Sequence, residues 1–139
     1  MRTKAFLIGA SALALVAAAC SSSPKARPSL ATTAGRLTSP AKITFISPTP
    51  SQEVTGGSLA VRIRLQNGRI VPRATTQITP TTGHVHISVD GQIRTLYAGL
   101  EYTLEDLKPG RHLLLAEFVQ ANHVPFDPRV TTTVTFTVR

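Results

Sequence analysis

The chain is 139 residues long, with 15 Lys and Arg against 7 Asp and Glu, a formal net charge of +8 and a single cysteine. That length leaves room for one domain, and one cysteine excludes an intramolecular disulfide. A pI near 10.9 raises nucleic acid as a partner, but residues 42–139 keep only 10 basic against 7 acidic residues, and no basic run is interleaved with aromatics, so no nucleic acid is expected.

Residues 1–19 read as an export signal. Met1-Arg-Thr-Lys4 is a short positive segment, and Ala5 to Ala19 is an almost unbroken run of apolar and small residues. The run is too short for a comfortable transmembrane span and has the flanks of a secretory signal. It ends Val16-Ala-Ala-Ala-Cys20, which resembles a bacterial lipobox, where small residues precede a cysteine that is diacylated before cleavage. The lipobox prefers leucine three places before the cysteine; here Ala17 stands there. The resemblance implies a lipid on Cys20 and attachment to the extracytoplasmic face of the cell membrane. Ordinary cleavage after Ala17-x-Ala19 is the alternative, leaving Cys20 as a free thiol open to oxidation. Two or three acyl chains hold a protein stably where one is marginal.

Residues 20–41 follow as a tether rich in Ser, Thr, Ala and Pro, without an aromatic residue. Prolines at 24, 28 and 40 discourage helix. As a flexible coil of about twenty residues, the segment spans roughly 25 Å. Its positive charges, Lys25, Arg27 and Arg36, suit anionic lipid headgroups.

Residues 42–139 show period-two segments separated by turn chemistry, the pattern of half-buried strands. Lys42–Ile46 is a first strand, broken by Ser47-Pro-Thr-Pro50. In Ser58–Leu65, Leu59, Val61, Ile63 and Leu65 alternate with Arg62 and Arg64. Residues 66–80 form a polar connection in which Ile70 and Val71 make at most a short edge strand. In the next strand Val85, Ile87 and Val89 oppose His84, His86 and Ser88. Asp90-Gly91 closes a two-residue hairpin, since both positions favour positive φ. Gln92–Tyr97 returns, and Glu101–Leu107 follows. Pro109-Gly110 supplies a type II turn. His112–Val119 is the most apolar strand, residues 120–128 form a loop, and Val130–Arg139 alternates Val134, Phe136 and Val138 with threonines. About seven short strands and no helix after residue 20 predict an all-β fold, an antiparallel Ig-like β-sandwich. The Cys pair and core Trp of antibody domains are absent.

Three motifs recur in order: Gly83-His-Val-His86 with Asp90-Gly91, Leu107-Lys-Pro-Gly-Arg-His112, and His123-Val-Pro-Phe-Asp-Pro-Arg-Val130. Together they resemble a group of bacterial exported proteins of unknown activity. These carry a histidine-bearing strand, an L-x-P-G-x-H turn and H-x-P-x-x-P before a final strand. The resemblance covers roughly residues 80–139 and implies an exported β-sandwich. Members often carry three consecutive histidines on the first strand, where this chain has Val85.

His84 and His86 project from one face of a strand, about 7 Å apart. In an Ig-like layout, residues 84–90 pair antiparallel with 112–119, which carries His123 towards His84. Glu117 faces outward beside His86 if Leu114, Ala116 and Phe118 face the core. His84, His86 and His123 with Glu117 are thus a candidate site for copper or zinc by ligand type. The bland alternative is that each histidine is a hydrogen-bonding group on an open sheet face. His112 has core-facing parity beside a Pro-Gly turn and is expected to bond a backbone carbonyl, a structural role shared by Asp90, Gly91, Pro109 and Gly110.

Other chemistry lacks residues. Ser88 lies mid-strand with no oxyanion-hole signal, and Glu105-Asp106 adjoin a turn. Tyr97, Tyr102 and Phe126 are too scattered for a carbohydrate platform. The expectation is a non-catalytic binding or structural module at the cell envelope, with an unknown envelope protein or ligand as partner. The alternative is a surface copper or zinc protein; a hydrolase is a third reading.

Overall fold

The computed structural model describes residues 36–139, apart from Ala74 and Thr76. The expected export signal at residues 1–19, Cys20 and the expected tether as far as residue 35 lie outside the described residues. The described residues form nine strands in chain order: β1 Lys42–Ser47, β2 Gln52–Val54, β3 Leu59–Gln66, β4 Arg69–Ile70, β5 Thr82–Val89, β6 Gln92–Ala98, β7 Glu101–Leu104, β8 Gly110–Gln120 and β9 Pro125–Val138.

They form two sheets. One has the order β1-β3-β7; the other has the order β2-β9-β8-β5-β4, with β6 also paired to β5. The core lies between them because the alternating apolar residues of each sheet face inward. Leu59, Val61 and Ile63 come from β3, Val85, Ile87 and Val89 from β5, Leu114, Ala116 and Phe118 from β8, and Val134, Phe136 and Val138 from β9. Phe118 and Phe126 stack with ring centroids 5.4 Å apart. The fold is an all-β Ig-like sandwich.

Two edges depart from a purely antiparallel plan. β2 pairs parallel to β9, and β4 pairs parallel to β5. β2 is too short for hydrophobic alternation to reveal it, while β4 falls at the short edge strand that Ile70 and Val71 suggest. β2 is held where the end of β9 would otherwise expose an unpaired edge. Arg139 donates its backbone N–H to the carbonyl of Val54, and its guanidinium grips Glu53.

The final strand also starts earlier than the sequence predicts, at Pro125 rather than Val130. Val119 pairs with Pro125 while Phe118 pairs with Val130, so residues 126–129 bulge out of the ladder. The bulge turns Phe126 into the core. Packing also reaches back before Lys42. Leu37 and Ala41 lie against the core, and the N–H of Asp127 donates to the Leu37 carbonyl.

Candidate functional site

The hairpin β5–β6 turns at Asp90-Gly91, whose φ values of 52° and 79° place both residues in the left-handed region. Antiparallel pairing of β5 with β8 sets His84 opposite Val119, and His86 opposite Glu117. Val85 and Ile87 fill the core, so alternation forces His84, His86 and Glu117 onto the other face.

That face is not open. His84 is 1% exposed and Glu117 5%, where the alternation alone predicts an exposed pair of histidines. The cover comes from the short loop between β8 and β9. The N–H of His123 donates to the Gln120 carbonyl, and the N–H of Gln120 to the Val124 carbonyl. His123 thereby takes a φ of 64°. This folds its ring back over β5, parallel to those of His84 and His86, with centroids 4.8 and 5.2 Å away.

Tyr97 closes the other side, edge-on to both His84 and His123. The Arg73 guanidinium lies over the Tyr97 ring, 4.3 Å from its centroid, a cation–π contact.

Hydrogen bonds fix each ring. His84 Nε2 pairs with the Ala121 carbonyl at 3.1 Å, so it carries the proton. His86 Nε2 faces His123 Nδ1 at 2.9 Å, and His123 Nε2 meets the Tyr97 hydroxyl at 3.0 Å. Neutral imidazoles suit this run, because each has one N–H and one lone pair. Burial holds His84 and His86 below the ordinary histidine value. The nearby His123 acts in the same direction on both, and Glu117 opposes it at His86. Neutral imidazole is also the metal-binding form.

Glu117 is taken. Arg129 Nε donates to its Oε1 at 2.8 Å and Nη2 to its Oε2 at 2.5 Å. Among the described residues, no three metal-binding side chains surround a common point. His86 and His123 face one another with a pair of nitrogens, His84 lies in the stack, and Glu117 stands across from His86 in an ion pair.

His112 is elsewhere. Its Nε2 donates to the Lys108 carbonyl at 2.7 Å, and its Nδ1 meets Asp90 Oδ2 at 2.7 Å. Its ring packs on Phe136. Asp90 Oδ1 accepts from the Leu113 N–H. Gly110, after Pro109, has a φ of 136°. These residues tie the two turns at that end of the sandwich together.

Tyr97, Arg73 and Arg129 join the cluster although the strand pattern does not single them out for it. A count from the Asp90-Gly91 turn would have found Tyr97, since a regular hairpin places it opposite His84. Two shifts in the β5–β6 register move it, and its ring still meets the cluster. Arg129 sits two residues before Thr131, the β9 partner of Glu117. Arg73 lies in a polar connection and has no such signal.

The sequence matches the family of unknown function DUF6130 over residues 2–139. The chain belongs to that family. No curated protein matches the sequence. Among solved structures, the chain is similar to the endo-β-1,4-mannanase from Thermotoga petrophila at 14% identity and a TM-score of 0.46. An engineered protein gives 14% and 0.45. Each likeness covers 71% of this chain and 20% of the other, so the chain spans about a fifth of their length. A fibronectin(III)-like module of Clostridium thermocellum CbhA is 16% identical with a TM-score of 0.42, over 71% of this chain and 96% of the module.

Proposed function

We propose that this protein is a non-catalytic, lipid-anchored binding module on the extracytoplasmic face of the membrane, whose ligand is Cu²⁺ or Zn²⁺. The anchor rests on the lipobox-like Val16–Cys20, with Cys20 as the lipidated residue. The observation that carries the ligand is the 2.9 Å approach of His86 Nε2 to His123 Nδ1. Two imidazoles bound to tetrahedral zinc at about 2.0–2.1 Å have nitrogens roughly 3.3–3.4 Å apart. The pair therefore accepts an ion by opening about 0.4–0.5 Å and turning each ring by roughly 35°, so that both lone pairs meet off the line between them. The shared proton passes to solvent or to the far nitrogen of its ring.

The wider cluster supports this reading. Tyr97 on His123 Nε2 orients the ring from its far side, as the hydrogen-bonding partners behind metal-bound histidines do. His84, held on the Ala121 carbonyl, gives the stack its floor. Ligand chemistry narrows the ion. The one cysteine and one methionine of the chain are Cys20 and Met1, so residues 36–139 offer only nitrogen and oxygen donors. That set suits Cu²⁺ and Zn²⁺ and disfavours Cu⁺, which prefers sulfur.

Calorimetric titration of the full-length protein in detergent with Cu²⁺ and Zn²⁺ tests the ligand. A Kd below about 10 μM, lost in a His86→Ala/His123→Ala double variant, is expected. Weaker binding, or equal binding by the variant, removes the metal. Cys20→Ser tests the anchor and is expected to release the protein or leave its precursor uncleaved. A cleaved, membrane-bound variant removes lipidation.

A further inference from the structure

We propose that Glu117 is a third, latent metal donor and that Arg129 guards it, so that ion binding exchanges the Glu117–Arg129 pair for a His86/His123/Glu117 site. The inference rests on the metal reading above and adds the device that sets its affinity.

Three observations carry it. Glu117 is the direct cross-strand partner of His86, and side chains so placed have Cβ atoms about 4.5–5.5 Å apart. The carboxylate can therefore swing to an ion held on His86 Nε2. Glu117 is 5% exposed, and a buried carboxylate needs a counter-charge. Arg129 supplies it through both of its hydrogen bonds. A divalent ion at the neighbouring histidines would supply a larger one.

Arg129 has water at hand when it leaves, so the cost of parting falls on Glu117, and the ion would offset it. Its side chain is 59% exposed while that of Glu117 is 6% exposed. It stands on the bulge that breaks the β8–β9 ladder and borders a surface groove of about 360 Å³, lined also by Lys42, Ile43, Pro128 and Thr131. A guanidinium released there goes to water. The carboxylate, left behind in the sheet, has the ion as its alternative partner. Two imidazoles and one carboxylate form a known divalent-metal donor set with open positions.

The test is a double-mutant cycle on ion affinity in the full-length protein, read by competition with a chromophoric chelator for Zn²⁺ and Cu²⁺. Arg129→Gln, which frees Glu117, is expected to tighten binding about tenfold or more. Glu117→Gln should weaken it by a similar factor, and Arg129→Gln in the Glu117→Gln background should change nothing. Circular dichroism checks that each variant is folded. If Arg129→Gln does not fold, Arg129→Lys, which keeps the charge and loses the two-point grip, should tighten binding by a smaller factor.

Unchanged or weaker affinity on loosening Arg129, or the same tightening without Glu117, overturns the guard and leaves the two-histidine site standing. A wild-type protein that binds neither ion overturns both.

Discussion

His86 Nε2 and His123 Nδ1 face each other at 2.9 Å although 37 residues separate them in the chain. One belongs to a central strand and the other to the loop after the adjacent strand. An ion joining them would therefore cross-link two elements that meet only in the folded state. Binding to the native state alone stabilises it by about 2.7 kcal/mol at a free ion concentration of 100 Kd. For a sandwich of this size, that raises the melting temperature by roughly 10–20 °C. Zn²⁺ is expected to produce such a rise, EDTA to reverse it, and His86→Ala to abolish it. A melting curve indifferent to both Zn²⁺ and EDTA counts against a site between these rings.

His84 has a different role from His86. It is 1% exposed, stacked under His123, and bonded to the Ala121 carbonyl. His84→Phe keeps an aromatic ring in the stack and leaves that buried carbonyl without a donor. The expected loss of stability is about 1–3 kcal/mol. Ion affinity should fall far less than in His86→Ala. Denaturant unfolding beside a Zn²⁺ titration compares the two. Abolished binding with unchanged stability would make His84 a ligand instead of a support.

Gly83 sits where β5 meets the end of β8, opposite Gln120. A Cβ added there would stand 1.8 Å from the Val119 carbonyl oxygen. The oxygen belongs to the backbone of β8 and the Cβ would be fixed to the backbone of β5, so neither can yield without shifting the ladder. Gly83→Ala is expected to cost about 3 kcal/mol or more, beyond ordinary overpacking. It should also displace His84, the next residue, from Ala121. A Gly83→Ala protein that melts within a few degrees of wild type would refute the close approach.

The central strands are legible because their alternation is strict. Val85, Ile87 and Val89 on one face and Leu114, Ala116 and Phe118 on the next strand fix which residues enter the core. They also fix that Glu117 lies beside His86. What alternation does not encode is what covers the outer face. The loop carrying His123 closes through backbone hydrogen bonds, and Arg129 reaches Glu117 from a four-residue bulge that no periodic pattern announces. β2 escapes for a related reason, and β4 shows in the sequence only as a short edge strand about Ile70 and Val71. At three and two residues, they are strands only because a neighbouring edge needs partners, and that need is set by the tertiary structure.

The pH dependence of stability separates the end of the sandwich near His112 from the histidine cluster. The Asp90 carboxylate, then the Lys108 carbonyl, hold His112 above the ordinary histidine value. The Leu113 N–H, then His112, hold Asp90 below the usual carboxylate value. A raised histidine stabilises fully below its unfolded pKa of about 6.5 and loses that share as pH rises through the folded value. A lowered carboxylate stabilises fully above about 3.9 and loses its share as pH falls through the folded value. The pair therefore contributes most between about pH 4 and 6.5. His84 and His86 act in the opposite sense, since their lowered values make stability fall as pH drops. They are present in both wild type and His112→Gln, so they cancel in the difference. Taking the His112 ring away from Phe136 adds a pH-independent offset. Because Asp90 is half-exposed, the charge-dependent part should be about 1 kcal/mol at pH 5. It should shrink towards zero by pH 8–9, as urea unfolding of the two proteins would show. A stability difference equal at pH 5 and pH 9 would mean that His112 acts through packing alone.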